Sequence, residues 1–369
     1  MRCKLLSTTF NAAPAMMALV FFVGCVSSTG PSATPADQDT HSDDRPNASG
    51  AQANGAEKDY TDALVISELR ERAISGIESA ARSADAEVRT NAMEAAAEAP
   101  ARFEAVLASG LKDGNPAVRT TAAMTVGRLR MKKLAAPVVS IAGDESNYVK
   151  AAAIYALERC GEQIDPTPLA TILLNDPSTK VRAHVAYILG ELGNPSARGL
   201  LRQAAKSNLQ RASELDIKLM QLQVTEALVK LGDETGVQAI RAALYPSRPE
   251  DLEATALAVQ IIGAIKDRGA IDQLIYLAAQ KDDKGAPMAA EVRLAVASSL
   301  AKMGMREGSF IVEEYWRSQN PAIRAQCAYV YGWIGGPSAL ARLDQLLSDT
   351  DPRVQVFAAF GVLHVLKDR

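Results

Sequence analysis

Large rings are scarce in this sequence: tryptophan, tyrosine and phenylalanine together make up 5% of 369 residues. A chain so poor in aromatics and in β-branched runs, and so rich in alanine and leucine, favours helices packed closely on small side chains. An excess of charge is lacking as well. The formal net charge is −3, with lysine and arginine scattered, which gives no electrostatic footprint for nucleic acid and excludes it as an expected partner. Histidine occurs only at His41, His184 and His364, and no nucleophile–base pair or phosphate-binding loop stands out. What is present is apolar mass, 48% of the chain, ample for a large buried core.

The first 59 residues read as an address. Arg2 and Lys4 form a basic start, Ala15–Val23 is an apolar core, and Gly24-Cys25 follows. The apolar stretch is too short to span a bilayer as a mature helix, so this is secretory-signal anatomy. Residues 26–59 are rich in Ser, Thr, Pro, Ala, Asp and Gly without apolar periodicity, and include His41. Such a segment is a disordered tether with a root-mean-square reach of about 30–35 Å. Phe22-Val23-Gly24-Cys25 resembles the lipobox of bacterial lipoproteins, with Phe22 where that family prefers leucine. The resemblance implies removal of residues 1–24, lipidation of Cys25 as the mature N-terminus, and anchoring in a bacterial cell envelope. Several acyl chains at about 0.8 kcal/mol per buried CH₂ make a stable membrane anchor. Val26 in place of aspartate points to the outer membrane, facing the periplasm; the alternative is an ordinary cleaved signal and a secreted protein.

From residue 60 onward the chain repeats itself. Nine segments come into register at Val88, Val118, Val149, Val181, Met220, Ala254, Val292, Ile323 and Val354, spaced 30 to 39 residues apart. Counting each start as position 1, position 5 is always small and apolar, from Ala92 to Ala358, and position 9 is always apolar or aromatic. Positions 1, 5, 9 and 12 make one helical stripe, and the small fifth residue admits a close neighbouring helix. Gly161, Gly193, Gly232, Gly304 and Gly335 stand where these helices should stop. A shorter apolar helix follows each, then a turn headed by Asp or Ser, as in Asp113-Gly114-Asn115-Pro116. Helix, turn, helix, turn at about 30 residues per unit predicts an α-solenoid over 60–369, with Tyr60–Arg82 as an N-terminal cap.

Asp176, Pro177, Val181, Arg182, Leu189, Gly190 and Gly193 carry a specific resemblance, to the HEAT repeat in the short form shared with phycobilisome-lyase proteins. It implies an all-α fold, a right-handed α-solenoid of about nine HEAT-like helical hairpins. In that family the base at position 2 pairs with the turn aspartate of a neighbouring repeat. The implied ladder uses Arg119, Arg182 and Arg324 with Asp113, Asp144, Asp176 and Asp349. One HEAT-like family, deoxyhypusine hydroxylase, binds two irons through His-Glu dipeptides, and none of the three histidines here precedes Glu. Bilin lyases work in a cytosolic pathway, which a secretion signal contradicts. No metal, no cofactor and no catalytic residue are therefore expected, and the chain is expected not to be an enzyme. Cys160 and Cys327 occupy core slots as buried small hydrophobes.

The resemblance also places the repeating first helix on the concave side of the solenoid. Position 7 there includes Tyr155, Tyr187, Tyr329 and Phe360, with Trp333 and His364 at position 11 and Phe357 and His184 at position 4. Either these rings pack between neighbouring helices, or they form two sticky patches for a protein or peptide ligand. The final segment has no following helix to cover it, and Phe357, Phe360, Val362 and Val365 cannot all face one core, which suggests self-association through the C-terminal helix. The expected function is a membrane-tethered, non-catalytic protein–protein interaction scaffold; the alternative is an enzyme or enzyme accessory with a ligand pocket in the groove.

Overall fold

Each register start opens a helix. In the computed structural model the described residues are 58–367 without 208, 210, 211, 247, 249, 250 and 282–284. The signal, Cys25, His41 and the tether as far as residue 57 lie outside them, whereas Lys58 and Asp59, expected to end the tether, belong to the described part. Among the described residues nine helices carry the repeat: α2 (Ala86–Ala95), α4 (Pro116–Leu129), α6 (Asn147–Cys160), α8 (Thr179–Leu192), α10 (Glu214–Lys230), α12 (Leu252–Ile265), α14 (Ala290–Lys302), α16 (Pro321–Ile334) and α18 (Pro352–Val365). They alternate with nine helices on the outer side: α1 (Ala63–Ala80), α3 (Glu104–Gly110), α5 (Ala135–Val139), α7 (Thr167–Asn175), α9 (Arg198–Ala205), α11 (Val237–Ala242), α13 (Ile271–Ala279), α15 (Ser309–Tyr315) and α17 (Gly336–Leu346). The result is an α-solenoid of helical hairpins.

Local chemistry sets the boundaries. Asp85, Asn115, Ser178, Asn320 and Asp351 cap inner helices by accepting from backbone N–H groups of the first turn, and proline follows the cap in α4, α16 and α18. Gly161 and Gly193 end α6 and α8 in the left-handed region, where a side chain would be strained.

The inner helices pack through their smallest residues. All nine position-5 side chains, from Ala92 to Ala358, are fully buried. Four glycines at position 10 bring backbones closer still. A Cβ added to Gly127, Gly190, Gly263 or Gly332 would lie 2.8–2.9 Å from the Cα of Ala156, Ala227, Ser299 or Gly361 on the next inner helix. These glycines therefore join α4 to α6, α8 to α10, α12 to α14 and α16 to α18.

The solenoid does not stay open. Helix α1 packs against both α18 and α2, burying Leu69, Ala73, Ile74 and Ile77. Asp344 of α17 accepts hydrogen bonds from Lys58 Nζ at 2.9 Å, from Tyr60 Oη at 2.9 Å and from Arg72. Arg70 donates to the Leu366 carbonyl at 2.9 Å, and Glu98 meets His364 Nδ1 at 3.1 Å and Lys367 Nζ at 3.3 Å. The first and last repeats thus close into a ring. This corrects the expectation of an uncovered C-terminal helix and removes the apolar surface on which self-association was based: α1 packs on α18 at Ala359, Phe357 and Phe360 pack against Tyr329 of α16, and Val362 is buried as well. The N-terminal cap caps both ends at once.

Candidate functional site: a central cavity

Two layers of polar residues run around the ring, and only one faces its centre. The first is the arginine–aspartate ladder at the starts of the inner helices. Arg89 forks onto Asp113 (2.8 and 3.0 Å), Arg119 Nε reaches Asp144 at 2.9 Å, and Arg324 forks onto Asp349 (2.7 and 2.8 Å). Each arginine also donates to two carbonyls of its own preceding turn, for example Ser318 and Gln319 for Arg324. The Arg324 hydrogen bond holds the Asp349 carboxyl below its ordinary value, and Asp349 in turn raises Arg324. One rung departs from expectation. Arg182 donates to the backbone carbonyl of Asp176 and to Ser207 Oγ at 3.2 Å, while the Asp176 carboxylate takes Asn147 Nδ2 at 2.7 Å. The turn after α9 is lengthened and offers Arg182 a serine in place of an aspartate. These contacts join adjacent repeats.

The second layer lies at positions 7 and 11, one helical turn apart, and it converges. Eight of the nine inner repeats contribute lining to one cavity of about 490 Å³, from Glu94 and Glu98 at one side of the seam to Phe360 and His364 at the other. Its charges are mostly paired within the wall. Glu94 bonds Arg128 at 2.7 Å, and that carboxylate holds the guanidinium more firmly protonated. Lys230 bridges Glu191 at 2.7 Å and Glu226 at 2.6 Å beneath the Tyr187 ring. Burial alone would lower the Lys230 ammonium, but the two carboxylates reverse this and raise it. Burial likewise opposes ionisation of Glu98, yet its hydrogen bond from His364 and the charges of His364 and Lys367 keep its carboxyl below the ordinary value.

The aromatic residues form a wall, not two open patches. Tyr329 stacks on Phe360 at 5.2 Å between centroids, Phe360 on His364 at 5.4 Å, and Trp333 leans on His364 at 4.3 Å. Phe357 is 1% exposed and sits edge-on behind Tyr329; Tyr155 is also 1% exposed, lodged against Gly127. Tyr187, Tyr329, Trp333 and Phe360 do line the cavity. His184 does not: it is buried against Tyr148, and burial pushes its imidazole down to about 4. The reading of rings packed between neighbouring helices thus describes Tyr155 and Phe357, and a narrow chamber replaces the open groove.

Sequence reasoning singles out Glu191 as an outward residue but misses the rest of the charged half of this wall: Glu98, Arg128, Lys230 and Lys302, like Glu191 at position 11. The signal was available as a column that keeps a charge in repeat after repeat, directly above the aromatic-rich column at position 7. Among the described residues no group of three or more His, Cys, Asp or Glu side chains is placed to hold a metal ion. Cys160 and Cys327 are buried free thiols, and burial raises both.

A repeating helical hairpin with paired turns defines the class. The family model of HEAT repeats matches residues 74–158, 104–172, 166–258 and 286–360, and the chain belongs to that family. Solved structures of similar fold include the complex of CpcE and CpcF of phycocyanin lyase from Nostoc sp. PCC7120, at 17% identity and a TM-score of 0.40, covering 73% of this chain and 98% of that one. Human deoxyhypusine hydroxylase is similar at 15% identity and a TM-score of 0.35, covering 82% and 99% respectively. No curated protein matches the chain. The expectation that this chain is not an enzyme is corrected to this extent: the two named structures are those of a lyase and a hydroxylase, at identities that show the fold alone.

Proposed function

We propose that this protein is a lipid-anchored HEAT-repeat ring that binds a small molecule or a chain end in its central cavity. The observation that carries the reading is the convergence of positions 7 and 11 from eight inner repeats on one chamber. An open solenoid grips a long partner along its concave face; here α1 joins the two ends and bends that face into a ring. A volume of about 490 Å³ falls in the range of small-molecule sites. Protein partners are left the outer helices, where Tyr276 of α13 and Phe310 of α15 stand exposed. Cys25 would hold the ring to a bacterial envelope membrane, with residues 26–57 as spacer.

Trp333 reports on the chamber, whereas Trp316 lies between Arg317 and Arg342 on the outer side. In a Trp316→Phe variant, emission should come from Trp333 alone and should shift when the protein is challenged with a small-molecule extract of its own cells. Emission indifferent to every fraction, with the fold intact, would overturn the cavity reading. Separately, Cys25→Ser should move the protein from the membrane to the soluble fraction; unchanged membrane association would refute the anchor.

A further inference from the structure

We infer that the cavity takes a small anion with a planar body, its charge held by Lys302 against the Tyr329–Trp333 wall. The inference rests on the cavity reading above and names the ligand class. Its basis is the pairing of the wall. Every carboxylate lining the chamber already has a cation: Glu94 has Arg128, Glu191 and Glu226 share Lys230, and Glu98 has His364 and Lys367. Among the described residues Lys302 has no carboxylate oxygen within 4.0 Å. Its ammonium instead stands over the faces of Tyr329 at 5.2 Å and Trp333 at 5.4 Å. Rings offer a cation attraction without neutralising it, so Lys302 remains the lining charge that can accept a counter-ion.

Two further groups are left without partners in the same wall. The Oε1 atom of Gln260 and the Nε1 atom of Trp333 are shielded from solvent and make no hydrogen bond. Gln260 is only 8% exposed, and both residues line the cavity. Buried polar groups are rarely left unsatisfied, and these two border the cavity. The Lys302 ammonium suits a carboxylate or phosphate, and the Trp333 N–H joins it only after the indole turns toward the cavity. The amide oxygen suits a hydroxyl or N–H on the ligand body, after a turn of the side chain. Tyr329, Trp333 and Phe360 supply faces for that body to stack on. A cationic ligand would meet Lys302 with no free carboxylate to receive it.

The test is isothermal titration of the full purified chain in detergent with indole-3-acetate, phenyl phosphate, acetate and tryptamine. Indole-3-acetate and phenyl phosphate should bind saturably at one site, with dissociation constants below about 1 mM. Acetate, which lacks the ring, and tryptamine, which reverses the charge, should each bind at least about tenfold more weakly, as expected when one charge-assisted contact is lost. Lys302→Gln should cost the two ring-bearing anions about tenfold or more, whereas Lys302→Arg, which keeps the cation and guards against a general folding effect, should retain them. Tryptamine binding as tightly as indole-3-acetate, Lys302→Gln without effect on a folded protein, or no saturable binding by either ring-bearing anion would overturn the inference. A neutral or cationic ligand that still shifts Trp333 emission would leave the cavity reading standing while this one falls; silence of Trp333 toward every ligand would remove both.

Discussion

Replacing Asp344 by alanine should loosen the ring at one place. The carboxylate receives Lys58, Tyr60 and Arg72, and these contacts span 272 to 286 residues of chain. Burial alone would raise the Asp344 carboxyl, but these three donors overcome it and hold it below the ordinary value, which shows the sign of the interaction. Breaking a fully buried ion pair costs about 3–5 kcal/mol. Here the side chains of Arg72 and Lys58 are 35% and 49% exposed and regain water, so the expected cost is nearer about 2 kcal/mol. That corresponds to roughly 30-fold in the seam-opening equilibrium. The ring should nonetheless remain closed in most molecules. Leu69, Ile74 and Ile77 stay buried, each worth about 1.5–3 kcal/mol of transfer. Native-state hydrogen exchange is the assay. Amides of α1 should exchange roughly 30-fold faster in Asp344→Ala, with a smaller change in α8 and α10. Asp144→Ala, which removes a ladder rung away from the seam, should leave α1 protected. Uniform acceleration around the ring, or unchanged α1, would refute the reasoning that the ends are latched there.

His184 gives a pH dependence of definite sign. Its folded value near 4 lies below the ordinary 6.5, so the unfolded chain binds the extra proton first and stability falls as pH drops from 6.5 toward 4. The full loss is about 3 kcal/mol, and urea titrations of His184→Leu should lack that part of the slope. Gly190→Ala places a methyl 2.9 Å from the Ala227 Cα and should cost about 1–3 kcal/mol despite alanine's better helix propensity. Gly76→Ala finds only the Ala359 Cβ at 3.8 Å and should instead stabilise by up to about 1 kcal/mol in the same denaturation assay. Arg324→Lys keeps the charge but loses the fork onto Asp349 and one or both turn carbonyls, about 1–2 kcal/mol, whereas Arg102→Lys at the solvated pair with Glu71 should change stability by less than about 0.5 kcal/mol.

Much of the fold was legible because each repeat states it again. The position-5 column, the glycine stops and the Asp-headed turns are local signals, and each maps onto a buried contact, a left-handed cap or a helix start. Closure was not legible. It depends on how far each hairpin rotates against the next and on contacts such as Tyr60 to Asp344, 284 residues apart, which leave no periodic trace. The site was half legible for the same reason. The enrichment of rings at position 7 is a compositional signal, but whether Tyr155 or Phe357 reaches the surface depends on a glycine at 127 or a tyrosine at 329 on the neighbouring helix. The mixed charges of position 11 look like a solvated face until the packing of α8 on α10 sets Lys230 between Glu191 and Glu226. Arg182 shows the limit of carrying a ladder forward: a longer turn moved its partner from a carboxylate to Ser207.

The four glycine contacts have an arithmetic consequence. They couple the inner helices two by two, α4 with α6 through to α16 with α18, and nine is odd. Helix α2 is the member left over, and it stands beside the seam where the chain ends meet. The ring is therefore four stiff couplets and a singlet, not nine equal wedges. Flexing should collect at the joints that lack a glycine, above all between α6 and α8 and between α10 and α12, where the helices pack least, and there it would widen the chamber next to Tyr187 and Gln260 without unpacking any couplet. Parity, in this molecule, decides where the circle can breathe.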